Sequence, residues 1–258
     1  MRHDKFAGPA YTIQIVSNAL DMLELLAMRP ANPSLGRLAG SLNLTRNKAY
    51  RLLSTLCERG LVEQDPETGT YAIGVAALEL AQRLIRQAPV VNHAHPIMEE
   101  LARKHDEAVY MTVLRGDDVV FLDMVDCERQ VKATPLIGRR FPYFTNAAGK
   151  AIKALEGADP LNLLKKRGRK SNSLDVGSLL SELHEIRHKG VAVDCGGLGD
   201  GIVSVAVAVR DYAGKVVGAI TMLVPSFRAV ADRLESEIIP SLQEGADLLS
   251  MKLGHGPC

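Results

Sequence analysis

His184 to His188 spell H-E-I-R-H, the spacing of a zinc hydrolase motif. Two histidines at i and i+4 share a helix face, and the glutamate between them can serve as general base. Three other stretches invite a chemical reading. His93 and His95 offer two metal-binding nitrogens, "GGLGDG" (Gly196 to Gly201) has the glycine density of a phosphate loop, and "AAGKA" (Ala147 to Ala151) is like a piece of a P-loop. Each lacks its context. The helix carrying HEIRH, expected from Ser178 to His188, buries Leu179, Leu180, Leu183 and Ile186, so both histidines turn outward. It ends at Lys189-Gly190 with no third ligand at a recognised spacing. No cysteine or carboxylate cluster accompanies His93 and His95. "GGLGDG" leads into a strand, not into the helix N-terminus that a dinucleotide needs. "AAGKA" lacks the earlier glycine of a Walker A loop. "KKRGRK" (Lys165 to Lys170) reads as a solvated basic loop. With no nucleophile elbow or nucleophile–base pair, no catalytic residue, metal ligand or cofactor is expected. The chain is read as a non-enzyme, with a small-molecule hydrolase built on its second half as the alternative.

A different chemistry lies between Ser34 and Gly60. Arg37, Arg46, Lys48, Arg51 and Arg59 stand there against one acid, Glu58, in a chain of 258 residues whose net charge is only +1. Positive charge so concentrated neutralises phosphates, and Asn or Arg on an exposed helix face can bond bidentately to base edges. The face in question carries Asn47, Arg51 and Ser54 with Tyr50 beside them. Arg46 and Lys48 flank the first turn, Thr45 starts it, and Arg37 lies on the preceding helix. These eight residues are the expected contacts to double-stranded operator DNA.

The elements that would hold that face are short helices. Val16, Ala19, Leu20, Leu23, Leu26 and Ala27 recur at helical spacing, with Ser17 as cap and Pro30 as stop. A second helix restarts at Ser34 and buries Leu35, Leu38, Ala39 and Leu42. Asn43 and Leu44 make a tight turn. Thr45 caps a third helix that buries Ala49, Leu52, Leu53 and Leu56 and stops at Gly60. This is a helix-turn-helix. Leu61 to Gln64 and Thr70 to Ile73 then flank "DPETG" as a wing with no Lys or Arg, so the third helix must supply most of the electrostatic attraction. Val75 to Gln87 follows as a connector helix, with Ala77, Leu80, Ala81 and Leu84 on one side.

Composition sets the frame. A 47% hydrophobic fraction supports real cores, and 24% charged residues suits a soluble chain. Cys57, Cys127, Cys195 and Cys258 lie far apart, which fits a reducing compartment. The start lacks a signal-peptide core and no apolar run spans a bilayer, so a cytoplasmic location without membrane contact is expected. Beyond the connector, Tyr110 to Leu114 and Val119 to Val125 alternate as strands around "RGDD". A helix begins near Thr145 or Asn146. "GVAVDCGGLGDGIVSVAVAVRDYAGKVVGAITMLVP" gives three strands, and Phe227 to Leu253 a helical end. A sheet with helices around it makes the fold class α+β.

"SLGRLAGSLNLTRNKAYRLLSTLCERGLVEQDPETGTYAIG" resembles the N-terminal winged helix of the IclR family of bacterial transcriptional regulators, whose "LPKSTVHRLLxTLxxxGxV" and "YxLG" segments it follows. Asn47 and Lys48 stand in place of the family's Ser-Thr pair, so the operator sequence does not carry over. "LIGRRFPYFTNAAGKAIKAL" and "LGDGIVSVAVAVRDYAGKVVGAITM" resemble the family's GAF-like effector domain. The resemblance implies a winged helix-turn-helix domain over 1–74, a linker helix over 75–89 and an effector-binding domain with a mainly antiparallel sheet over 90–258. It implies a homodimer or tetramer whose operator affinity is set by a small organic-acid effector. Asn146, Ala147, Ala148 and Gly149 form a helix start whose small side chains and amide N–H groups suit an anion. The family's ligand contacts, carried over, fall on Ala147, Ala148, Asp194, Ser204, Thr221 and Leu223, with Ser204 and Thr221 as hydroxyl donors. Leu223 and the Gly196-Gly197 pair depart from the family pattern and point to a more apolar acid than the smallest keto acids.

Overall fold

A computed structural model describes residues 12–28, 31–156 and 176–256. The basic run at 165–170 and Pro30 lie outside them. The chain divides into two compact units, Met1–Gln87 and Ala88–Cys258.

The first unit holds α1 (Gln14–Ala27), α2 (Leu35–Ser41), α3 (Arg46–Glu58), the hairpin β1 (Val62–Gln64) and β2 (Tyr71–Ile73), and α4 (Val75–Arg86). Asn43, with φ +53°, makes the turn between α2 and α3. The Thr45 hydroxyl accepts the Lys48 N–H at 3.3 Å and so caps α3. Ala49, Leu52, Leu53 and Leu56 are all buried, and Gly60 ends the helix at φ +67°. The wing is tied to the helices: Tyr71 N–H donates to the Pro33 carbonyl at 3.0 Å, and Ser34 bridges to Thr70.

Two expectations for this unit need correction. α1 starts after Ile13, so Ser17 lies inside the helix and caps nothing. Its buried residues are Asn18, Met22 and Leu26, while Val16 and Leu20 are more than half exposed. Gln14, Ser17, Asp21 and Glu24 make a polar stripe, but the apolar residues span more than half of the circumference, so periodicity alone does not choose which of them face inward; packing against α3 and β2 does. On α4, Leu80 and Leu84 of the expected stripe are exposed, as are Val75 and Leu78.

The second unit is a six-stranded antiparallel sheet in the order β5-β4-β3-β8-β7-β6. The strands are β3 (Ala108–Arg115), β4 (Asp118–Val125), β5 (Arg140–Pro142), β6 (Ala192–Cys195), β7 (Ile202–Arg210) and β8 (Val216–Pro225). α5 (Pro89–His105) and α8 (Ile239–Lys252) cover one face; a single π-turn, Leu234–Ile238, precedes α8. α6 (Ala147–Leu155) covers the other face with α7 (Val176–Lys189) packed on it. Helices cover both faces, so the central strands are largely apolar on both sides. The faces differ in kind. Val203, Val205, Val207, Val209, Ile220, Met222 and Val224 point to α5 and α8. Ala206, Ala208, Ala219 and Leu223 point to α6, which answers with Ala147, Ala148 and Ala151.

Glycine brings α6 down onto its neighbours. A Cβ at Gly149 would stand 2.2 Å from the Tyr143 carbonyl oxygen, and one at Gly197 would stand 1.6 Å from that of Thr145. Gly149 thus serves backbone packing rather than ligand approach. Helix propensity alone favours alanine over glycine by about 1 kcal/mol. Here the clash reverses the sign: Gly149→Ala is expected to destabilise the protein by about 1–3 kcal/mol, measured as a lowered midpoint in denaturant unfolding, whereas an unchanged or raised midpoint would show that α6 can lift freely.

Candidate functional site

Two regions gather the residues with chemical potential. In the first unit, α3 buries one stripe and thereby turns the other outward. Arg37, Thr45, Arg46, Asn47, Lys48, Tyr50, Arg51 and Ser54 are all exposed. No acid lies in the first turn of α3. The hairpin beside it adds only negative charge. Asp65 accepts N–H bonds from Glu67 at 2.8 Å and Thr68 at 3.2 Å, and bonding to Thr68, then to both backbone amides, holds its carboxyl below the usual range. Glu63 accepts the Val75 N–H at 3.3 Å. A groove of about 450 Å³ separates the helices from the hairpin, lined by Ser34, Arg46, Tyr50, Gln64 and Tyr71 among others. Ser34 and Gln64 add neutral donors at its walls; neither is legible from the chain, because the groove exists only once the hairpin folds back on α2.

In the second unit, the strand register lays polar groups out in rows beneath α6. One row runs Asp194, Ser204, Leu223, Ala108 across β6, β7, β8 and β3. The next runs Ala192, Ala206, Thr221, Tyr110 and on to Met124. The third contains Ala208, Ala219, Thr112 and Phe121. Ala147 N–H donates to the Ser204 hydroxyl at 3.4 Å, and that hydroxyl reaches the Asp194 carbonyl at 3.5 Å. Both lengths exceed those of a good bond, so Ser204 and Ala147 retain capacity for a better partner. Ala148 N–H has no acceptor among the described residues. Asn146, Ala147, Ala148, Ser204, Thr221 and Leu223 are each at most 1% exposed.

Three expected contacts are committed elsewhere. The Asn146 side chain accepts Gly149 N–H at 3.0 Å and donates to the Pro142 carbonyl at 3.0 Å, which makes it the cap of α6. Asp194 accepts Gly197 N–H at 3.0 Å with one oxygen and Lys150 Nζ at 2.7 Å with the other. Lys150 also reaches Glu182 at 2.8 Å. Burial pulls the Lys150 ammonium down, but its bonds to Asp194 and Glu182 outweigh that and leave its pKa raised. Asp194 therefore orders the Gly196–Gly197 loop, and its charge is neutralised by Lys150. Thr221 also differs from expectation. Thr112 spends its single proton on the Ala219 carbonyl at 2.9 Å. In the 3.2 Å contact between the two threonines, Thr221 must be the donor. Thr221 is left with lone pairs, an acceptor rather than a donor for a carboxylate.

Tyr110, Thr112 and Lys150 belong to this site and sequence reasoning missed them. The first two were legible only as strand alternation, and Lys150 only as part of an incomplete P-loop. The HEIRH histidines are exposed on α7, and Glu185 between them pairs with Lys189 at 2.6 Å. His95 pairs with Asp123 at 2.7 Å. No group of three or more metal-ligating side chains occurs among the described residues.

Residues 15–66 match the family model for the IclR helix-turn-helix domain. Residues 82–251 match that of the bacterial transcriptional regulator IclR C-terminal. The HTH-type transcriptional regulator TtgV of Pseudomonas putida is 31% identical over 234 residues, covering 88% of this chain and 87% of its own. The crystal structure of a transcriptional regulator from Alicyclobacillus acidocaldarius superposes with a TM-score of 0.84 at 26% identity, covering 95% of this chain and all of that one. That of a Microbacterium hydrocarbonoxydans homologue complexed with 4-hydroxybenzoate superposes at 0.77 with 20% identity, over 93% and 98% of the two chains.

Proposed function

The chain belongs to the IclR family of bacterial transcriptional regulators, and from that premise we propose that a small organic acid, bound under α6, sets its affinity for operator DNA. The observation that carries the reading is the pairing of an exposed basic recognition face in the first unit with a closed set of under-used hydrogen-bonding groups in the second. Arg46 and Lys48 supply phosphate neutralisation; Asn47 and Arg51 read bases; Thr45, Tyr50, Ser54 and Arg37 complete the contact. In the second unit, the amides of Ala147 and Ala148 and the Ser204 hydroxyl take the acid's carboxylate at the N-terminus of α6. Leu223 supplies an apolar wall. The 4-hydroxybenzoate held by a similarly folded protein supports the acid class. The protein works in the cytoplasm, where its DNA lies, and no described helix is long and apolar enough to cross a membrane.

The division of labour in the proposal is 1–74 for DNA, 75–89 as connector and 90–258 for the effector. α4 supports a second role for the connector. Val75, Leu78, Leu80 and Leu84 are each more than half exposed, an apolar face that a second copy of the chain would cover. We therefore assign the active form to a homodimer or a tetramer on a palindromic operator.

Four expected outcomes test these assignments. Arg51→Ala or Asn47→Ala should cost about 1–3 kcal/mol of operator affinity and relax sequence preference. Lys48→Ala should weaken binding to all sequences and flatten the salt dependence. Gel shifts across a salt series measure both, and an Arg51→Ala protein with parental affinity at moderate salt would remove α3 from the interface. Ala148→Leu should abolish the metabolite response while operator binding persists; calorimetric binding equal to the parent's would put the pocket elsewhere. Light scattering at micromolar concentration should show at least a dimer, and a monomer that still binds its operator tightly would contradict the assembly.

A further inference from the structure

The α6 face of the sheet holds a polar group for which the structure provides no partner. Tyr110 is 0% exposed, and its hydroxyl oxygen makes no hydrogen bond. The Leu136 backbone lies beside it without the geometry of one. A buried hydroxyl left unmatched loses its hydration with nothing in its place, and native proteins rarely leave one so without reason. Burial pushes the phenol up to about 12, so it stays neutral and can both donate and accept.

The surroundings of that hydroxyl are aromatic and small. The Tyr110 ring meets Phe121 edge-to-face at 5.2 Å, and Phe121 meets Phe141 at 5.7 Å. Tyr143, Ala133, Leu136, Ala147 and Ala148 complete the same buried cluster. Tyr110 lies directly opposite Thr221, in the row next to that of Ser204. Ser204 is on β7 and Tyr110 on β3, with β8 between them. Two strand spacings across and two residues along separate their backbones, about 12 Å in all. Ser204, Thr221 and Tyr110 thus share the α6 face of the sheet with the alanines and aromatic rings of this cluster.

We propose that Tyr110 is the specificity-determining residue of the effector site, and that the effector is an aromatic acid carrying a hydroxyl at the end remote from its carboxylate. This rests on the reading of the α6 pocket as the effector site. The remote hydroxyl exchanges a hydrogen bond with Tyr110, and the ring fills the space between alanines and aromatic edges. A three-carbon keto acid is too short to reach from Ser204 to Tyr110 and leaves the phenol as unmatched as it is in the free protein.

The test uses the full chain and three probes: 4-hydroxybenzoate, benzoate and pyruvate, each titrated calorimetrically into the parent, Tyr110→Phe and Ala148→Leu. The parent is expected to bind 4-hydroxybenzoate at least about tenfold more tightly than benzoate, because a site built around a hydroxyl rejects the analogue lacking it. Tyr110→Phe should bring that ratio to near one. Without any probe, Tyr110→Phe should melt at or above the parent's temperature, since it removes an unmatched group. A lower melting temperature would show that the hydroxyl has a partner in the free protein and would overturn the proposal. So would an undiminished ratio in Tyr110→Phe, or a parent that binds none of the three probes. Pyruvate binding to the parent but not to Ala148→Leu, with no aromatic acid bound, would overturn the role of Tyr110 while leaving the pocket where it is. Probes that bind Ala148→Leu as they bind the parent would instead overturn the pocket itself.

Discussion

Backbone packed directly on backbone fixes the height of α6 above the sheet, and much of the second unit follows from it. Gly149 rests on the Tyr143 carbonyl and Gly197 on that of Thr145. At that separation the Asn146 side chain closes the first turn of α6, and Ala147 N–H reaches across to Ser204 on β7. Lys150, one residue beyond Gly149, spans to β6 and α7 at once through Asp194 and Glu182. Larger side chains on this face would hold the helix away and separate all of these partners. The alanines of α6, β7 and β8 are thus part of one constraint.

The first unit solves a different problem with the same economy. Its core is small, built on Met22, Leu38, Leu53 and a few neighbours, yet it must hold α3 at a fixed rotation. The tie from Tyr71 to Pro33 and the bridge from Ser34 to Thr70 lock the hairpin to the start of α2. A Cβ at Gly74 would stand 2.2 Å from the Gly60 carbonyl oxygen, so α4 leaves from the end of α3 along a path only glycine permits. The recognition face is held from behind by leucines and from both ends by turns, with its front free for DNA.

How much of this could be read from the chain depends on the range of the interaction. The cap at Thr45, the stripe Ala49, Leu52, Leu53 and Leu56 and the stop at Gly60 are local, and each was legible from spacing. The start of α6 was legible for the same reason. α1 was not: Ile15, Val16 and Leu20 make its outer side as apolar as its inner one, and only packing shows that Asn18 and Met22 face inward. The site was legible in its parts and not in its wiring. Ser204 and Thr221 stood out as hydroxyls on strands. That Thr221 gives its proton to Thr112, or that Lys150 neutralises Asp194, depends on a strand register and on partners dozens of residues away.

The two faces of the sheet carry unequal burdens. The face toward α5 and α8 is filled with branched aliphatic side chains, four of them from alternate positions of β7, and their burial helps hold the domain together. The face toward α6 is alanine, threonine, serine and a few aromatic rings. Exchanging one small or hydroxyl residue there alters the chemistry beneath α6 while the opposite layer keeps its packing. If an effector binds there as proposed, single substitutions on this face can change which effector is accepted, with folding insulated from the search.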